Sequence, residues 1–256
     1  MLELFELEIL GGVTERRYRQ MRPEVAEMPW GTLNVSEMSE DVVLAARKAW
    51  TGAAFQEFRT GAACAATVQA LIEARAPIDL IALASRFPLD EMVHVEMCAR
   101  IASELGGAVE LAYDPEAMIG TLGEGCHPIL KASHLVVAFF CVGEALSIPL
   151  LHGTWQASEH PLIKAVLRRI VLDEADHGTF GWTYLDWANE HLEDHERIEL
   201  GETADIYIGN IYARWEDLRQ NKAFDIHQSH ALGWMGSEEY LLLAEKSLQR
   251  NVIAPL

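Results

Sequence analysis

From about Glu40 to Ala74, apolar and small side chains recur every three or four positions in an alanine-rich run that stops at Ala76-Pro77. That period predicts an amphipathic helix. A second helix is predicted from about Asp79 to Leu105, closed by Gly106-Gly107 and kinked at Pro88, where a backbone hydrogen bond is lost. Residues 106–128 hold five glycines and two prolines, too many breakers for regular structure throughout, and read as a long connection. A third helix follows from about Pro128 to Trp155, with Pro149 near its end, and a fourth from about Pro161 to His191. Beyond these come a helical run from about Glu196 to Gln220, a polar stretch from Asn221 to Gly236, and a last amphipathic helix from about Ser237 to Asn251.

Two short turns therefore flank one long crossover. Short turns make the first and second helices antiparallel neighbours, and likewise the third and fourth, while the crossover brings the second and third parallel. The expected fold class is all-α, a four-helix bundle with one long crossover and additional N- and C-terminal helices. The expected division is an N-terminal arm over 1–38, a bundle over 39–192, and C-terminal helices packed on it over 193–256. The arm shows no sustained period and carries Gly11-Gly12, Pro23, Pro29 and Gly31.

Composition narrows the partners. Of 256 residues half are hydrophobic, enough for a sizeable core. Lys and Arg total 20 against 39 Asp and Glu, a net charge of −19, which repels nucleic acid and anionic membrane surfaces. The opening MLELFELEILGG has no basic segment, apolar run or cleavage site of a secretory signal, and no stretch reads as long enough to span a bilayer. Cys64, Cys98, Cys126 and Cys141 form no CxxC pair, and three fall in helical apolar stripes, which points to reduced thiols. A cytoplasmic location is expected.

Candidate chemistry lies in a repeat. Residues 89–94 read LDEMVH and residues 172–177 read LDEADH. Residues three apart on a helix share a side, so Glu91 with His94, and Glu174 with His177, each point at one object. The spacing alone is weak: 28 Glu and 10 His in 256 residues give roughly one ExxH by chance, and a third copy, Glu124 with His127, falls in the glycine-rich crossover. The two helical copies carry more, because each has Asp before the Glu and each follows a helix with a lone carboxylate in an apolar stripe, Glu57 and Glu144. An unpaired carboxylate in such surroundings is neutralised or costly.

Glu91 follows Glu57 by 34 residues and Glu174 follows Glu144 by 30, the distance needed to ascend one helix, turn, and return to the same height. Four glutamates and two histidines then converge at one level. Two divalent cations cancel their repulsion, and oxygen with imidazole suits iron or manganese. Asp90 and Asp173 fit as carboxylates that orient His177 and His94 across the bundle.

Glu57, Asp90-Glu91-x-x-His94, Glu144 and Asp173-Glu174-x-x-His177 together resemble the ferritin-like superfamily of di-iron carboxylate proteins, in its DExxH form, over about residues 44–190. The resemblance implies a ferritin-like bundle with two iron ions (Mn/Fe or Mn/Mn being equally compatible), Glu91 and Glu174 bridging, Glu57 and Glu144 terminal, and one histidine on each metal. It implies an oxidase or monooxygenase that uses O2, an electron donor and a small-molecule substrate. Ferroxidase or iron handling, and a metal-stabilised helical protein without activity, are the alternatives; a tRNA-modifying relative is disfavoured by the charge. A homodimer is compatible with all of these.

Other residues read more plainly. Gly61, Gly178 and Gly181 mark either close helix contacts or room for substrate, and Tyr184 is expected in the core. The histidines His134, His152, His160, His191, His195, His227 and His230 lack a partner at ligand spacing and are expected at the surface.

Overall fold

The computed structural model describes residues 1–220 and 230–256; part of the polar stretch, with His227, lies outside them. The protein is all-α, with two strands of two residues each, β1 (Glu3–Leu4) and β2 (Ala112–Tyr113), paired antiparallel so that the arm is stitched to the crossover. Helix α1 spans Gly12–Met21 and α2 Glu40–Glu73; α3 spans Ile78–Ala84 and α4 Phe87–Glu104; α5 spans Pro128–Leu135 and α6 Ala145–Ala157; α7 spans Pro161–Ala188, α8 Asp194–Gln220 and α9 Ser237–Leu248.

Local chemistry explains these limits. Glu40 and Asp41 place negative charge in the first turn of α2, where the helix dipole favours it. The helix stops where Arg75 turns left-handed (φ 53°) just before Pro77. His127 and His160 act as N-caps, each accepting a backbone N–H through Nδ1, with Pro128 and Pro161 behind them at the position where a missing N–H costs nothing.

The expected second helix is two. The chain breaks at Ser85-Arg86, and Pro88 lies in the first turn of α4 instead of kinking a continuous helix. A proline in a first turn displaces no intrahelical bond, so breaking the helix upstream avoids the strain a mid-helix kink carries.

Between α5 and α6 the chain runs continuously through a π-helical stretch, Val136–Glu144. Seven of its nine residues are buried, including Val137, Phe140, Cys141 and Glu144. The whole run Pro128–Ala157 is long and apolar enough to cross a membrane by length and composition, contrary to the expectation above, but 67% of its most apolar window is buried inside the protein. Helices α2, α7, α8 and α9 all pack against it, so its hydropathy reflects enclosure on several sides.

Pairings fix the directions. Arg47 on α2 donates to the carbonyl of Gly107 beyond the end of α4, while Gly61 faces Met92 and Glu91, so α2 and α4 are antiparallel. Gly178 faces Ile148, Gly181 faces Cys141, and Tyr184 bonds Ser133, so α7 runs antiparallel to the 128–157 helix. Glu73 near the end of α2 pairs with Lys131 near the start of α5, which leaves α4 parallel to the 128–157 helix.

Two apolar clusters fill the interior, one around Trp50, Val93, Met97, Ile163 and Ile170, the other around Leu71, Phe87, Phe140, Phe180 and Tyr184. Along α2, α4 and α7 the buried acids and histidines lie between them. The C-terminal region returns to the first cluster at Leu232, whose carbonyl accepts the Trp50 indole N–H at 2.9 Å.

Candidate metal centre

Each helix brings its donors to the same height for a local reason. Gly61, one turn after Glu57, lets α2 approach α4 closely: a methyl there would fall 2.5 Å from Met92 Cε and 3.2 Å from Glu91 Cβ. Gly178 and Gly181 do the same for α7, where added methyls would meet Ile148 Cδ1 at 2.3 Å and Cys141 N at 3.0 Å. All three glycines are thus close helix contacts. Glu144 closes the π-helical stretch, a departure from α geometry that recurs at functional sites because it re-aims a side chain.

The six side chains singled out in the sequence come together in two overlapping sets. Glu57, Glu91, His94 and Glu174 offer donor atoms within 4.8 Å of one another, as do Glu91, Glu144, Glu174 and His177. Glu91 and Glu174 belong to both. His94 Nδ1 stands 3.2 Å from Glu174 Oε1, 3.5 Å from Glu57 Oε2 and 3.7 Å from Glu91 Oε2. His177 Nδ1 stands 2.9 Å from Glu174 Oε2 and 3.2 Å from Glu91 Oε1. Glu91, His94 and His177 are fully buried, Glu144 and Glu174 nearly so, and Glu57 is 16% exposed in its side chain.

Despite this crowding, both oxygens of Glu91, Glu174 Oε2, His94 Nδ1 and His177 Nδ1 are buried without a well-formed hydrogen bond among the described residues. Buried polar atoms are ordinarily partnered. Five that converge without bonding one another match ligand atoms aimed at points between them. Carboxylate and neutral imidazole suit divalent iron or manganese, and the shared pair, Glu91 and Glu174, suits two cations side by side. The residues present therefore fit a dimetal centre.

Electrostatics agree. Burial pushes the Glu57 carboxyl up to about 8 against the pull of His94. Burial, reinforced by Glu174 and Glu91, holds Glu144 well above the carboxylate range. Burial alone would depress the imidazoles, but facing carboxylates dominate: Asp90, Glu174 and Glu91 push His177 up to about 12, while Asp173, Glu174, Glu57 and Glu91 raise His94. Glu174 goes the other way, because His177 and His94 outweigh its burial. Absent cations, protons supply the positive charge.

Each far ring nitrogen faces an aspartate of the opposite helix. His94 Nε2 lies 3.4 Å from Asp173 Oδ2, and His177 Nε2 lies 3.8 Å from Asp90 Oδ2, too long for a hydrogen bond. Sequence reasoning missed what holds the aspartates. Arg169, one turn before Asp173, grips it through two nitrogens, one at 2.8 Å. Arg86, one turn before Asp90, donates at 3.2 Å, and Arg22 of the arm donates to the same carboxylate. Burial would raise the Asp90 carboxyl, yet His177, Arg22 and Arg86 hold it below its usual range. The signal was available, since both copies read Arg-x-x-x-Asp-Glu-x-x-His, and i,i+4 is the spacing of helical ion pairs.

Phe87 lies with its ring centroid 4.1 Å from that of His177 and packs on Phe140 and Phe180, closing that side to water. Between α6 and α7 a surface cleft of about 350 Å³ opens. Ala145, Ile148, Pro149, Gly178, Trp182 and Arg250 line it. Ala145 and Gly178, and the further lining residue Ala175, are each the chain neighbour of a centre residue, Glu144, His177 and Glu174. The cleft therefore lies at the height of the centre.

The third ExxH copy stays apart: Glu124 is exposed, and His127 caps α5 and pairs with Glu196 at 2.6 Å. All four cysteines are free thiols. Tyr184 is in the core, its hydroxyl shared by Ser133 and the Ile129 carbonyl. Comparison of the chain with protein-family models, curated proteins and solved structures finds no match in any of the three.

Proposed function

We propose that the protein is a dimetal carboxylate enzyme with a ferritin-like bundle, which uses O2 and an external electron donor to oxidise or oxygenate a small organic substrate. The observation that carries this reading is the pair of four-donor sets sharing Glu91 and Glu174. Two iron ions are the cofactor that best suits it, with Mn/Fe or Mn/Mn served by the same donors. Bound iron would supply the redox equivalents and the open coordination positions for O2.

The chain's own residues do the rest. Glu91 and Glu174 span both positions, while Glu57 and Glu144 close the two ends. Asp173, clamped by Arg169, accepts the Nε2 proton of His94 and so leaves the Nδ1 lone pair facing inward. Asp90, held by Arg86 and Arg22, faces His177 in the same sense at longer range. Phe87, Phe140 and Phe180 keep water from the His177 side, where stray protons and solvent would divert oxidising equivalents. Ser147 donates to Glu144 Oε2 at 2.9 Å and steadies that carboxylate next to the cleft.

A cleft with largely apolar walls at the height of the centre supports an organic substrate. Free thiols at Cys64, Cys98 and Cys141 accord with a cytoplasmic setting as part of the same proposal. The test is O2 uptake by iron-loaded protein given a chemical reductant. Reductant-dependent consumption is expected, and a reduced protein that stays reduced in air counts against the reading.

A further inference from the structure

The crossover and helix α8 frame a second cluster, away from the six residues above. Cys126 at the end of the crossover, His134 on α5 and Glu199 on α8 each offer one ligand atom within 4.8 Å of the other two. The histidine was expected at the surface; its side chain is only 6% exposed, because α8 covers it.

Its ring is held at both nitrogens. His134 Nδ1 lies 2.9 Å from Thr203 Oγ1, a hydroxyl that also lies 3.2 Å from the Glu199 carbonyl. Nε2 faces the Glu199 carboxylate at 3.0 Å. A proton on Nε2 or a cation between ring and carboxylate satisfies that contact equally.

Neighbouring His127 is used differently: its Nδ1 caps α5 by accepting from Leu130 N–H, and its Nε2 faces Glu196 at 2.6 Å. Cys126 Sγ is the third donor beside His134 and Glu199.

We infer that Cys126, His134 and Glu199 form a mononuclear site for a zinc-type divalent cation, separate from the dimetal centre. Thiolate, imidazole and carboxylate together select zinc over iron or manganese. Donors on a tetrahedral zinc stand roughly 3.3 Å apart, close to the 3.0 Å between Nε2 and Oε1. Thr203 holds the ring so that Nε2 faces the other two donors, and its hydroxyl can accept the Nδ1 proton when Nε2 binds a cation, as an outer hydrogen-bond partner does in zinc sites. Binding displaces the thiol proton of Cys126 to solvent, and a water completes the fourth position. The ion would tie the crossover and α8 to α5, clamping the C-terminal region onto the bundle.

The test adds Co2+ to the metal-free full-length protein and follows near-ultraviolet thiolate-to-cobalt absorption. No cysteine belongs to the dimetal set, so this band reports the second site alone, and its failure leaves the dimetal reading standing. Expected is a band that Zn2+ abolishes, that Cys126→Ser removes together with one bound metal per chain, and that Cys64→Ser and Cys98→Ser retain. Glu199→Gln, at a half-exposed position that no core packing depends on, should weaken zinc binding by about 10-fold or more. A wild-type protein with no band, a band surviving Cys126→Ser, or unchanged zinc affinity in Glu199→Gln overturns the site.

Discussion

His94 on α4 and Asp173 on α7 meet across the bundle, Nε2 to Oδ2 at 3.4 Å, and Arg169 grips the same carboxylate one turn earlier. Each DExxH segment thus supplies the aspartate that faces the other segment's histidine. Neither half of the centre is complete without the other.

Asp173→Asn is expected to keep the fold and lower metal affinity by about 10–100-fold, because an amide neither accepts the His94 proton as strongly nor holds Arg169. Competition titration against a chelator measures it. Arg169→Gln should shift affinity the same way by less. Unchanged affinity in both would remove the orienting role.

Metal uptake should release protons. His177, at about 12, and Glu57, at about 8, hold protons at neutral pH, and Glu144 and His94 are shifted upward in the same direction. Each must be given up to bind a cation. Affinity therefore rises with pH through 8, where Glu57 loses its proton, continues to rise toward the range of His177 near 12, and falls as the solution is acidified. Calorimetric titration in buffers of different protonation enthalpy reads the number, which is expected to include at least the protons of His177 and Glu57. Proton-neutral binding would contradict this charge balance.

Close approach at α7 gives a stability prediction. Gly181→Ala would put a methyl 3.0 Å from the Cys141 backbone nitrogen and 2.7 Å from its sulfur. Backbone cannot retreat as a flexible side chain can, so a cost of about 1–3 kcal/mol is expected in denaturant unfolding. Exposed Gly201 on α8 has nothing within 4 Å of an added methyl. There Gly201→Ala should stabilise by about 0.5–1 kcal/mol through helix propensity alone.

The centre was legible in the sequence because it breaks the pattern around it. Glu57, Glu144 and the two DExxH segments are charged side chains on apolar stripes, and helical spacing set their heights. What the sequence hid has particular causes. The π-helical stretch 136–144 is apolar on nearly every side, so periodicity carries no signal there about which face Glu144 occupies. The break at Ser85-Arg86 was obscured because Pro88 marks a helix start as readily as a kink. Arg86 and Arg169 break no pattern, since a charge on a helix is ordinary; only the burial of Asp90 and Asp173 beside them gives them a role. His134 looked exposed because the helix that covers it, α8, lies 65 residues further along the chain at Glu199. Strands of two residues are too short to show a period.

The most direct measurement is the metal content of protein purified from iron-replete cells, beside Glu91→Ala and Glu174→Ala. The account predicts about two iron or manganese ions per chain in the wild type, and well under one in either variant, since each removed carboxylate serves both positions. Fewer than about one such ion per wild-type chain, or full loading of the variants, would contradict the shared carboxylate centre.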